Sequence, residues 1–405
     1  MYQPDGSRRY RAGLRVSAPL LLIFGLLVGT HYGWAGHAQP SAPSAAARYE
    51  TFIRNIRRAP PVESGATAAT RPVVAVLALN EGTETTDFLV PYAVLKRADV
   101  ATVEAVAPQR GRVTLMPALA IDVANDLASF DTRYPSGADY VVVPAMHRAD
   151  DPVIVAWIRQ QVNKGAVIVA VCSGARVLAE AGLLNGRHIT GHWFDRADLL
   201  KAQPSSVYVA NQRYVAERGV ATTTGVTASL PVALAMVDAM GGRTRAVALA
   251  TELGLDAWGV EHDSAAFALN ARAVWTIAIN AIAFWRDERV VMVVHDGVDD
   301  VALAFAADAW SRTYRSHAIA LGLGRAGAHV AAVRTSSGLR LLTDGTPEAA
   351  RDDWRYTIRS RVKPARQLDA ALCEIGERYG AALRSIVALQ IEYAFAPQAR
   401  CSPVL

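Results

Sequence analysis

Short apolar runs of β-preferring residues alternate with helical patterns from Val73 to Val171, and this alternation restricts the fold more than any other feature. Val73 to Leu79 is the first run; Asn80-Glu81-Gly82 breaks it, and Phe88, Val90, Val94 and Leu95 then keep a helical period. Val100 to Ala107 reads as a second strand, Val113 to Asp122 as edge hairpin material, and Tyr140 to Pro144 as a buried strand. A helix around Val153 to Lys164 leads into Val167-Ile168-Val169-Ala170-Val171. Apolar strands separated by helices predict an α/β fold, a parallel sheet covered on both faces. Ligands of such folds gather at the carboxyl ends of the strands. Chemistry is therefore expected in the loops after Leu79, Pro144 and Val171.

Cys172 directly follows the last of these strands. Ser173-Gly174-Ala175 come next, and Val177, Leu178, Ala181 and Leu184 keep a helical period, so the thiol falls at a strand-to-helix elbow. Small residues keep such a turn sharp, the helix N-terminus favours a thiolate, and backbone amides there can hold an oxyanion. A buried cysteine without that context is more often a small packing residue. The remaining cysteines form neither a CxxC pair nor a disulfide framework. Cys373, on an amphipathic helix, reads as core, and Cys401, in a polar tail, as surface.

Ala170-Val171-Cys172-Ser173-Gly174 resembles the nucleophile elbow of the ThiJ/PfpI superfamily, the class I glutamine amidotransferase-like fold. Ile189-Thr190-Gly191-His192-Trp193 is similar to a string in the amidase-like domains of AraC-type transcriptional regulators. Thr222 to Ala228, and the helix through Leu230, Leu234, Val237 and Met240, resemble the last strand and helix of the same domain. The resemblance covers about Arg71 to Gly242. It implies a flavodoxin-like sandwich in which Cys172 is the nucleophile and His192 lies near the thiol, orienting it or shuttling a proton. It also places Asp87, four residues before Pro91, in a hydrogen bond to the cysteine, protonated when so bonded. Glu84 is the alternative acid and reads equally as a helix N-terminal charge. Together with Ala145 and Ser173 it makes up the expected substrate-binding set.

The pattern departs from the family in places. Where members carry Gly-Gly after the strand ending at Pro144, this chain has Ala145-Met146; Ala145 still offers its amide, and Met146 is expected to add bulk over the thiol. Ser173 replaces the His of the protease-like branch, which disfavours peptidase activity, and Ser229 and Pro231 replace the small and acidic residues of the regulator branch. No cofactor or metal is expected: Glu261-His262-Asp263 lacks a second ligand pair at usable spacing and reads as polar loop.

Arg8, Arg9, Arg11 and Arg15 precede an apolar stretch from Val16 to Gly29, the layout of an export signal. Residues 1–38 read as a signal peptide, with Gly36-His37-Ala38 at the cleavage site, or as an N-terminal transmembrane helix. In either case the main domain is exported, periplasmic or membrane-anchored. Residues 39–70, rich in Ala, Pro and Ser, read as a flexible linker. The ThiJ/PfpI-like domain follows over 71–245 and connecting helices over 246–289, where Phe267, Val274, Trp275, Ile277, Ile279, Ile282 and Phe284 crowd most faces of one helix and predict buried packing. In 290–405, Val290 to Val294, the loop His295-Asp296-Gly297 and the helical pattern through Val301, Leu303, Phe305 and Trp310 repeat the strand-Gly-helix order of the first domain. Ala302 stands where the first copy has Asp87, and no cysteine elbow follows. The unit continues through Ala318 to Leu323 and His329 to Arg334 and ends in a helix from Gln367 to about Tyr393. It reads as a truncated, chemically silent copy that packs on the first domain or makes a homodimer contact.

Hydrophobic residues form 52% of the chain and charged residues 20%, a globular balance. The net charge of +5 comes from scattered arginines without a dense basic run, and residues 351–405 show no helix-turn-helix pattern. Nucleic acid is thereby excluded as an expected partner. What remains is a small-molecule ligand or substrate and, through an uncleaved N-terminal segment, a membrane. The leading expectation is a cysteine-dependent hydrolase, hydratase or amidase acting on a small electrophile such as an aldehyde, amide or isonitrile. Isonitrile hydratases are similar in pairing an Asp and a Cys with a hydroxyl residue after the nucleophile. The other is a non-catalytic ligand-binding or redox-sensing module derived from a regulator's amidase-like domain.

Overall fold

The computed structural model describes residues 43–61, 71–282, 287–324, 327–344, 353–397 and 401. The expected export segment lies outside them. Among the described residues the largest sheet has seven strands, in the order Tyr214–Glu217, Val220–Thr223, Val167–Ala170, Tyr140–Val143, Val73–Leu77, Thr102–Ala107 and Asn125–Asp126. Neighbours run parallel except in the hairpin of Tyr214–Glu217 with Val220–Thr223. Successive residues of a strand point to opposite faces. Val74 and Val76 accordingly join a core with Phe88, Val90 and Val232, while Ala75 and Leu77 join another with Ile154, Ile158 and Val177. Helices on both sides bury the sheet, as the unbroken apolar strands require.

A helix, Ala45–Ile56, stands inside the stretch expected to be linker. Tyr49, Phe52, Ile53 and Ile56 recur at helical spacing and are all buried, Ser44 caps the first turn, and the Tyr49 hydroxyl donates to Asp238 Oδ2 at 2.7 Å. The Ala-rich and Arg-rich composition masked this single apolar seam.

The internal duplication is visible in the order of elements. Glu288–Val294, Asp300–Ser311, Ser316–Gly322 and Trp354–Tyr356 repeat Val73–Leu77, Thr85–Ala98, Thr102–Ala107 and Tyr140–Val143, with the same parallel pairing of both flanking strands to the first. The hairpins repeat as well: Val113 pairs with Ile121 as Val333 pairs with Leu341. Ile121 then pairs with Leu341, flanked by Asp122 with Arg340 and Ala120 with Leu342, so the two hairpins meet about a local twofold axis. Across the same joint the helices Thr85–Ala98 and Asp300–Ser311 pack together. Arg312 bonds Glu84 at 2.7 Å, and its twofold counterpart Arg97 bonds Asp299 at 2.6 Å. Glu84 and Asp299 are also the matching N-caps, each accepting the backbone N–H three residues on. This is the reciprocal contact pattern of a twofold dimer, built within one chain.

The C-terminal elements repeat too. The turn Val226–Ala228 and the helices Ser229–Gly241 and Arg243–Leu253 return as Pro364–Arg366, Gln367–Tyr379 and Ala381–Gln390. The single helix expected from Gln367 to about Tyr393 therefore breaks at Gly380, whose φ of 92° matches the 83° of Gly242 between the first pair; glycine adopts that left-handed geometry without a Cβ clash. Between Tyr356 and Pro364 nothing corresponds to residues 144–225, the stretch that carries the cysteine elbow in the first copy.

Two further expectations are corrected. The helix Ala271–Ile282 is not buried packing: Trp275 is 68% exposed, and Val274 and Ile279 also face out. Phe284 lies outside the described residues. Cys373 and Cys401 are joined in a disulfide, because the tail folds back onto Gln367–Tyr379, where the Tyr393 hydroxyl donates to Asp369 Oδ1 at 2.7 Å. Among the described residues no helix is long and apolar enough to cross a membrane.

Candidate active site

The strand Val167–Ala170 runs into Cys172, which holds a φ of 56° at the elbow, and the helix Gly174–Glu180 starts two residues later. A non-glycine residue in that region carries strain that the surroundings must hold in place. Two contacts do so. The Cys172 N–H donates to Thr223 Oγ1 at 3.0 Å, and Gly174 lies so close to the neighbouring strand that a Cβ there would sit 2.1 Å from the Val143 carbonyl oxygen. The thiol is 4% exposed and opens onto a cavity of about 560 Å³, with Ser173 Oγ 3.9 Å from the sulfur.

Burial raises the Cys172 thiol well above its ordinary value, and the charges of Asp87, Glu84 and Asp195 add to the rise; the Ser173 backbone N–H works the other way. The thiolate expected from the helix N-terminus is thus opposed by its surroundings, and the group is a thiol at neutral pH. Asp195 is a neighbour that the sequence reading did not single out.

Asp87 is fully buried on Thr85–Ala98. Its Oδ2 accepts from the Ala145 N–H at 3.3 Å and its Oδ1 meets the Ser229 hydroxyl at 3.1 Å; none of its hydrogen bonds among the described residues goes to Cys172. Burial pushes its carboxyl up to about 7. Ser229 also donates to the Val226 carbonyl at 2.5 Å, and a hydroxyl has one hydrogen. With that hydrogen on Val226, a proton on Asp87 closes the remaining contact. Ser229, seen in the sequence only as a departure, is a direct partner of the acid.

Glu84 accepts the Asp87 N–H at 2.5 Å as the helix N-cap and accepts from Arg312 Nη2 at 2.7 Å. The expected cap is observed, and the same side chain lines the cavity. Burial, then Asp308 and Asp87, raise it well above the usual carboxylate range. Arg312 also donates from Nε to Asp308 Oδ1 at 2.5 Å, and Asp308 Oδ2 accepts from Thr86 Oγ1 at 2.8 Å. Burial opposes the charge on Arg312, but Asp308 and Glu84 outweigh it and hold the guanidinium protonated. Three buried carboxyls thus share one cation beside the thiol. The second copy lacks a cysteine elbow, yet through Arg312, Asp308 and Tyr314 it builds part of this site.

The other expected residues are placed as follows. Ala145 lines the cavity, but its N–H is committed to Asp87. Met146 is not over the thiol: it is buried in the opposite core, with Leu79 and Val143. His192 lines the cavity with both ring nitrogens engaged, Nε2 donating to Gln390 O at 2.9 Å and Nδ1 accepting from the Phe194 N–H at 3.3 Å. It positions the loop around Trp193 and has no bond to the thiol. His262, read as loop, is paired at 3.0 Å with the buried Glu392, whose other oxygen accepts from the Gly225 N–H at 2.5 Å.

The DJ-1/PfpI family profile matches residues 73–239, the segment that holds this elbow, acid and sheet. The chain carries a DJ-1/PfpI domain. Among curated relatives, the HTH-type transcriptional regulator CdhR of Pseudomonas aeruginosa is 31% identical over 108 residues, which is 27% of this chain and 32% of that protein. The isonitrile hydratase of Pseudomonas putida is 33% identical over 110 residues, 27% of this chain and 44% of that one. The chain thus spans less than half the length of either. A ThiJ/PfpI family protein from Pseudomonas syringae, solved by crystallography, is 23% identical with a TM-score of 0.42, covering 49% of this chain and 83% of that structure. The extra C-terminal α/β region lies outside the DJ-1/PfpI match.

Proposed function

We propose that the protein is exported and that Cys172 attacks a small electrophile, in chemistry of the hydrolase, hydratase or amidase type. The observation that carries this reading is the strained elbow thiol opening onto a cavity beside Asp87, a buried acid that titrates near neutrality. In the reaction the sulfur adds to the electrophilic carbon while the thiol proton passes to a carboxylate of the Glu84–Asp87 pair. The substrate's π electron pair moves to its heteroatom, which takes a proton back from the same pair. Arg312 keeps the site's excess negative charge from growing prohibitive. The Cys373–Cys401 disulfide supports export, since such bonds persist in oxidising compartments.

A second reading, a ligand-binding or redox-sensing module, is favoured by the engaged nitrogens of His192 and the carboxylates that oppose thiolate formation. A panel of aldehydes, amides and isonitriles offered to wild type and Cys172→Ser separates the two. Turnover that vanishes with Cys172 supports the enzyme; no turnover, with ligand-induced stabilisation retained in both proteins, supports the module.

A further inference from the structure

We infer that the cavity selects uncharged ligands with an extended apolar tail, which lies across the joint between the two copies while a small electrophilic head meets Cys172. This rests on the reading of Cys172 as the reactive group and adds the class of molecule it meets. The head region is polar and acid-rich: Glu84 lines it, with Asp87 and Asp308 behind, and Arg312, the one arginine among the described residues that line it, already serves Glu84 and Asp308. An incoming carboxylate or phosphate finds no free counter-charge among the described residues that line the cavity and must be desolvated beside carboxyls.

The remainder of the cavity is walled by Trp193, Phe194 and Val226 from the first copy and by Val274, Ile277 and Leu389 from beyond it. Phe194 is 63% exposed and Val274 52% exposed. Apolar side chains left open to water at the rim of a cavity gain from a ligand that covers them. A head of one or two carbons fills little of 560 Å³. A tail fills more of it and covers apolar wall.

The test uses full-length Cys172→Ser protein, which binds without reacting, titrated by calorimetry with hexanamide, octanamide, decanamide and octanoate. The expected result is affinity rising about threefold to fourfold per methylene, with octanoate at least tenfold weaker than octanamide. Val274→Ser and Phe194→Ser, both at exposed positions, flatten the increment. Affinity independent of chain length, octanoate equal to octanamide, no binding of any amide, or an increment unchanged in both rim variants overturns the inference. Tail-dependent binding without wild-type turnover of any electrophile removes the enzyme reading alone; turnover of two- and three-carbon electrophiles without tail dependence removes this one alone.

Discussion

Asp87→Asn replaces a buried acid with a neutral residue of the same shape. The carboxyl titrates near 7 in the folded protein against an ordinary value of 3.8. The folded state therefore holds a proton that the unfolded chain releases, so the stability conferred by the neutral form is complete below about pH 4 and is lost progressively as pH rises towards 7. At 1.36 kcal/mol per unit, a rise of roughly three units corresponds to about 4 kcal/mol lost across that window. An amide fits the site as the protonated acid does: its oxygen accepts from Ala145 N–H, and its nitrogen donates to Ser229 Oγ while Ser229 serves Val226. Urea unfolding from pH 4 to pH 8 should show the two proteins close at pH 4 and the variant more stable by about 2–4 kcal/mol at pH 8. Parallel stability curves for wild type and variant across this range would refute the assignment of a neutral, buried Asp87.

Iodoacetamide alkylation of Cys172 should be slow at pH 7 and accelerate only above the range of a free thiol, because burial and three carboxylates oppose the thiolate; a midpoint below pH 8 contradicts this. Arg312→Met leaves Glu84 and Asp308 buried without their cation, and should cost about 3 kcal/mol or more in unfolding free energy at pH 8. Its loss should be smaller at pH 5, where Glu84, raised well above the usual carboxylate range by burial, retains its proton, and a deficit independent of pH points to packing instead. Reducing Cys373–Cys401, separated by 28 residues, should lower the unfolding free energy by about 3 kcal/mol, read as a fall in Tm with dithiothreitol that Cys401→Ser already shows without it.

The first copy was legible because its strands are unbroken apolar runs and its elbow is local in sequence. Cys172, Ser173 and Gly174 are contiguous, and Asp87 sits at a fixed distance from Pro91. The rest of the site depends on long-range contacts. Arg312 reaches Glu84 from 228 residues away, and no local pattern marks it. A signal was nonetheless present: laying the loop glycines Gly82 and Gly297 over each other also lays Arg97 over Arg312 and Glu84 over Asp299. The sequence reads His192 as a partner that orients the thiol or shuttles its proton; the hydrogen bond to Gln390 O that engages its Nε2 needs the folded tail and is not legible locally. The disulfide escaped for the same reason. The helix Ala271–Ile282 was misjudged because apolar residues on several faces look alike whether they meet a core or the open rim of a cavity.

Because the twofold joint is made within one chain, the two ion pairs that cross it are free to diverge under mutation. In a dimer of identical subunits, altering Glu84 would alter both ends of the interface at once; here Glu84 can be tuned for its place beside the thiol while Asp299 keeps its pairing with Arg97. Covalent linkage also fixes the ratio of copies, so Arg312 is delivered to the cavity at every protein concentration. Dilution cannot strip the site of its cation.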